Sequence, residues 1–92
     1  MTTTPISPKP LLETMTWPEA RQAALDGGRV VLLPVGAIEQ HGPHLPVDVD
    51  NRIVVWLCNE AARRRPDLIL SAPPIHYGFN EHNMGFPGTI TV

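Results

Sequence analysis

A chain of 92 residues holds one small domain at most, and it buries only a modest share of its surface. With 7 Lys+Arg against 9 Asp+Glu, its net charge of -2 leaves no basic excess to neutralise phosphates, which argues against a nucleic-acid partner. The single cysteine, Cys58, excludes an internal disulfide, and no apolar run is long enough to span a membrane.

The start, Met1 to Pro10, carries Pro5, Pro8 and Pro10 and reads as a flexible or extended lead-in. It lacks the basic-then-apolar layout of a secretory signal, so a cytoplasmic location is expected by default. Thr16-Trp17-Pro18-Glu19 has the form of a capping box, with a helix expected from Trp17 to about Asp26. Pro18 is tolerated because first-turn amides lack partners, and Gly27-Gly28 supplies a residue able to take positive φ at the helix end. Val30 to Pro34 is a continuous apolar run, which suits a strand covered on both faces, as in a parallel sheet.

After an irregular stretch from Val35 to Asp48, a second helix is expected over Asn51 to Arg65. Val54, Leu57, Cys58 and Ala61 fall at helical spacing as its buried stripe, and Asp48 or Asp50 is placed to cap its start. Arg63-Arg64-Arg65 complements the dipole at the helix end, and Pro66 enforces that end. Leu68-Ile69-Leu70 is a second strand-like run, Ala72 to Gly88 a second long loop, and Thr89 to Val92 the beginning of a further strand. This alternation predicts an α/β fold, a parallel sheet layered with helices.

All four histidines fall in the two loops, His41 and His44 after the first strand, His76 and His82 after the second. If the strands pair in parallel, both loops leave the same carboxyl edge, where open α/β sheets bind ligands. Glu39 and His41 are two apart, so in a locally extended segment their side chains point the same way. A carboxylate oxygen beside an imidazole nitrogen suits zinc or manganese better than calcium, which takes oxygen only. Asp50 lies past a bend set by Gly42, Pro43 and Pro46; it could swing back and bridge two metals, or serve only as a helix cap. In the second loop, Tyr77 and Phe79 offer an apolar pocket wall and Glu81 or His82 polar contacts, while a packed surface loop fits the same residues.

The stretch Pro34-Val35-Gly36-Ala37-Ile38-Glu39-Gln40-His41-Gly42-Pro43-His44-Leu45-Pro46, followed by Asp50, resembles the signature of the creatininase (creatinine amidohydrolase) family. Tyr77-Gly78, Glu81-His82 and Phe86-Pro87-Gly88-Thr89 resemble a second block of that family, and together the blocks cover Val30 to Val92. The resemblance implies a metal-dependent amidohydrolase acting on a C–N bond of a small amide, cyclic amide or formamide. It implies two divalent metal ions (zinc, manganese or iron), with Glu39 on one, His41 on the other and Asp50 bridging. It also implies a homo-oligomer, with Tyr77, Glu81 and His82 toward the substrate. A non-catalytic metal-binding or oligomer-forming module, or an inactive remnant of such an enzyme, stands as the alternative.

Members of the family are longer than this chain. They draw further ligands, including a His in an Asn-Gly-His stretch, from beyond the position of Val92, and no such stretch occurs here. The expected organisation is thus a lead-in over residues 1–15 and the amino-terminal part of a creatininase-like α/β domain over 16–92, truncated and inactive alone. The general acid is not among the residues in hand.

Overall fold

A computed structural model describes residues 9–92, so the lead-in expectation for residues 1–8 lies outside the described residues. In the remainder of that lead-in, Leu11 bridges Ser71 in parallel, and Leu12–Thr14 form a single 3₁₀ turn.

Helix α1 spans Trp17–Arg21 and runs on as a π-helical turn over Gln22–Asp26. The capping box forms in both directions: the Glu19 amide donates to Thr16 Oγ1 and the Thr16 amide donates to Glu19 Oε1. Gly28 then takes φ +63°, which reverses the chain into the first strand at little steric cost.

Strands β1 (Val30–Leu32) and β2 (Ile69–Ser71) pair in parallel, Val30 opposite Ile69 and Leu32 opposite Ser71. Pairing resumes beyond the strands at Val35 and Ile75, where the Gly36 amide donates to Ile75 O and the Ile75 amide donates to Pro34 O. The two loops therefore leave side by side from one sheet edge. Thr89 to Val92 yields one antiparallel bridge, Ile38 with Ile90, rather than a strand. The α/β expectation of helices layered on a parallel sheet is met.

Helix α2 spans Val49–Arg64 and lies against β2, over the buried Leu70 and Ser71. Its buried face departs from the expected apolar stripe at Leu57 and extends beyond it. Leu57 is 54% exposed, whereas Ala62 is fully buried and Asn51 nearly so. Val54, Cys58 and Ala61 of the expected stripe are half-buried, and Asn51, Asn59 and Ala62 join them on the covered side; the two asparagines are amides that an apolar search passes over. Asn51 Nδ2 donates to His76 O (3.2 Å) while its Oδ1 is buried against Gly36 without a partner, and Asn59 Oδ1 accepts from Ser71 Oγ (2.9 Å). The opposite side carries Ile53, Trp56 and Leu57 to the surface.

Two further expectations are corrected. β1 is not covered on both faces, since Val30 and Val31 are 53% and 45% exposed and α2 lies over β2 instead. Neither aspartate caps α2. Asp48 sits at the cap position without a capping bond: Oδ2 accepts from Arg52 Nε at 2.7 Å, and Oδ1 is buried without a partner. Asp50 lies inside the first turn, where Oδ1 faces His41.

The start of α2 is fixed by contact with Gly36. A Cβ built there would overlap Asn51 Oδ1 and lie 3.0 Å from Asn51 Cα, so the first loop and the helix meet backbone to side chain. Gly36→Ala is expected to lower the unfolding free energy by about 1–3 kcal/mol through overpacking, read as a lower urea midpoint. Glu19 gives a pH signature. Its carboxyl is held below the usual 4.5, chiefly by the Thr16 amide and also by Lys9 and the Thr16 hydroxyl. Because its folded pKa is depressed, its contribution is complete above the ordinary carboxylate range and is lost as pH falls through the folded value. Comparison with Glu19→Gln by thermal unfolding between acid and neutral pH should show a stability difference that shrinks on acidification.

Candidate metal centre

Glu39 and His41 are two residues apart, but Asp50 lies nine residues past His41, so the chain must fold back to bring it to them. The Glu39 amide donates to Val47 O (3.0 Å), closing the loop between them, and Gly42 takes φ +80° at its turn. Asp50 follows Val47 closely, in the first turn of α2, so the same closure delivers its carboxylate to the other two residues. One ligand-type atom from each of the three lies within 4.8 Å of the others. All three are half-buried, Glu39 most deeply, its side chain 17% exposed.

The hydrogen bonds define the state of the imidazole. His41 Nδ1 lies 3.1 Å from the Glu39 carbonyl oxygen, which can only accept, so Nδ1 carries a proton and donates. That leaves Nε2 as the lone-pair nitrogen, 3.1 Å from Asp50 Oδ1. A neutral Nε2 and a carboxylate oxygen both present lone pairs, and at this distance they require a positive centre. Either a second proton or a metal ion serves. Two donors about 2.1 Å from a common ion, at angles between square and tetrahedral, are themselves about 3.0–3.4 Å apart, so the observed spacing fits a shared cation. The His41 pKa is accordingly raised above 6.5, first by the bond to the Glu39 carbonyl, then by the Asp50 and Glu39 carboxylates, with desolvation opposing. The donor set of one nitrogen and two carboxylates is that of a borderline divalent ion.

The second loop reaches this cluster chiefly through Asn83, with His82 beside it. Asn83 Nδ2 donates to Glu39 Oε2 at 2.8 Å, and Gln40 Nε2 donates to Asn83 Oδ1 at 3.3 Å. The Gln40 amide donates to Thr89 Oγ1, tying the first loop to the Gly-Thr pair. His82 comes near, its Nε2 being 3.8 Å from Glu39 Oε2, and its side chain is 66% exposed. Tyr77 is half exposed with its ring edge-on to His76, and Phe79 is more exposed still. Among the described residues, neither the Tyr77 nor the Glu81 side chain bonds to the cluster. Asn83 and Gln40 carry no charge, so a search for titratable groups passes over them; each directly follows or precedes a histidine, and that adjacency was the available signal.

A family model described as creatinine amidohydrolase matches residues 13–92. The chain is 41% identical over 68 residues to the mycofactocin precursor peptide peptidase of Mycolicibacterium smegmatis, covering 68% of this chain and 27% of that protein. It is 34% identical over 83 residues to the creatinine amidohydrolase of Pseudomonas putida, covering 85% of this chain and 31% of that protein. It superposes on creatininase in a manganese form with a TM-score of 0.81 at 32% identity, over 90% of this chain and 34% of the other. A mutant creatininase of the Zn-Zn type gives 0.79 at 32% identity, over 89% and 33%. The chain thus spans about a third or less of the length of the proteins it matches. With the family model running from the first turn to the last residue, and the α/β layout shared with solved creatininases, the chain belongs to the creatininase family.

Proposed function

We propose that this chain contributes Glu39, His41 and Asp50 to the metal centre of a metal-dependent amidohydrolase that cleaves a C–N bond of a small amide, cyclic amide or formamide. The observation that carries the reading is the convergence of three ligand-type atoms, one each from Glu39, His41 and Asp50, within 4.8 Å of one another. The expected cofactor is two divalent ions, zinc, manganese or iron. Manganese and Zn-Zn forms of creatininase support the first two.

When bound, such ions supply Lewis-acid polarisation of an amide carbonyl and a more acidic water. The residues of this chain do the holding and orienting. The Glu39 carbonyl fixes the His41 tautomer so that Nε2 is the ligand nitrogen, an outer-shell role that imidazole ligands commonly need. Asp50, on the rigid first turn of α2, presents a carboxylate able to span two ions. Three donors fall short of the shell that two ions require, so hydrolysis depends on donors from outside these residues. His82, at the rim beside Glu39, with Tyr77 and Glu81 from the same loop, is assigned to the substrate side. The whole enzyme is assigned as a cytoplasmic homo-oligomer. No helix among the described residues is long and apolar enough to cross a membrane.

Titration with Zn²⁺ or Mn²⁺ followed by calorimetry tests the centre. The protein should bind the ion, and His41→Ala should abolish binding with an unchanged far-UV circular dichroism spectrum; equal affinity in that variant would remove His41 from the ligand set. Metal binding should release a proton and weaken as pH falls, because below its raised pKa His41 holds at Nε2 the proton that the ion must displace. Hydrolysis of creatinine, formamides and short peptides should appear only with the missing donors supplied. Tight metal binding with no hydrolysis even then favours the non-catalytic module.

A further inference from the structure

The hydrogen bonds around Glu39 form a chain with a direction. The Gly42 amide, which can only donate, gives its hydrogen to Gln40 Oε1 at 2.9 Å. Gln40 therefore turns its Nε2 hydrogens to Asn83 Oδ1 (3.3 Å), and Asn83 in turn directs Nδ2 at Glu39 Oε2 (2.8 Å). An ionised carboxylate can only accept. The two ends thus fix both side-chain amides in one orientation, which is otherwise ambiguous for Asn and Gln. Reversing either amide would set two oxygens against each other or two N–H groups against each other at its contacts. We propose that Asn83 is a positioning residue for Glu39 as a metal ligand, and that Gln40 acts through Asn83 by setting which way its amide faces.

The bond occupies one carboxylate oxygen with a neutral donor. The other stays free for a cation, and the carboxylate cannot rotate toward solvent. Because the chain bridges the loop after β1 and the loop after β2, it also fixes the distance between them at the site. The proposal rests on the metal-centre reading of Glu39, His41 and Asp50.

The test is calorimetric titration of Zn²⁺ or Mn²⁺ into the protein and its variants, with the visible absorption of bound Co²⁺ as a readout of ligand geometry. Asn83→Leu should weaken binding about 10- to 100-fold, the usual effect of losing an outer-shell partner, and alter the Co²⁺ spectrum. Gln40→Glu is nearly isosteric and gives the sharper result. By simple attraction, an added negative charge near the site strengthens cation binding. If Gln40 directs Asn83, binding should instead weaken, because a carboxylate at position 40 would draw the Asn83 amide round and leave its oxygen against Glu39. In the Asn83→Leu background the same change should cause no further weakening, since the route from residue 40 to Glu39 is gone. If Asn83→Leu does not fold, Gln40→Glu carries the test alone. Equal or tighter binding in Gln40→Glu overturns the proposal, as does unchanged binding in Asn83→Leu. Wild-type binding that is lost in His41→Ala but untouched in these two variants overturns this proposal alone. No binding by the wild type overturns the metal centre along with it.

Discussion

The arrangement of this chain depends on one close approach, that of Gly36 to Asn51. Gly36 lies where the loop after β1 passes under the first turn of α2, and there is no room for a Cβ between them. Asn51, nearly fully buried, also donates across to the His76 carbonyl of the second loop. One amide side chain therefore joins both loops to the helix. Asp50 precedes it directly and has little freedom to leave the cluster while Asn51 stays seated. Burying an amide costs free energy; the bond from Nδ2 to His76 offsets part of that cost, and Oδ1 remains buried without a partner, so the seat depends on the second loop being in place.

Above this seat, the electrostatics follow from a simple imbalance. Three acidic or lone-pair groups are drawn together by main-chain bonds that have nothing to do with charge: Glu39 to Val47, and the paired bridge of Gly36, Ile75 and Pro34. The Glu39 carbonyl then removes the only donor role His41 could otherwise offer Asp50, by claiming Nδ1. The scaffold thus gathers acceptors and gives them few donors, the Asn83 amide on Glu39 being one. A positive centre is the natural completion of such a set, and a proton serves in its place when no ion is bound.

Much of this was legible from the sequence where the signal was local. The capping box at Thr16–Glu19, the positive-φ glycine after it and the parallel pairing of two short apolar runs follow from spacing and residue type. The grouping of Glu39, His41 and Asp50 was legible as a motif. What sequence could not show depended on contacts distant along the chain. Leu57 falls on the apolar stripe by spacing, yet the helix turns Asn51 and Asn59 inward, and an amide counts as buried only once its partner is known. Asp48 looked like a cap, yet Arg52 one turn later claims its carboxylate. A covering for β1 was expected from its composition, but composition does not say which strand the helix will choose. Asn83 carries no charge and no periodic signal, and its importance emerges only beside Glu39.

The division of labour between main chain and side chain also sets how freely this sequence can drift. The bridges that align the two loops run through the backbone of Val35, Ile38, Ile75 and Ile90, and through the Val47 carbonyl. Any residue that accepts an extended conformation provides the same bonds, so these apolar positions can exchange among themselves while the geometry of the centre persists. Gly36, Gln40, Asn51 and Asn83 have no such latitude, since each acts by its size or by the direction of an amide. Two chains of this kind could differ at most of their loop residues and still present the same cluster, whereas a single change among those four would disturb it with every charged residue intact.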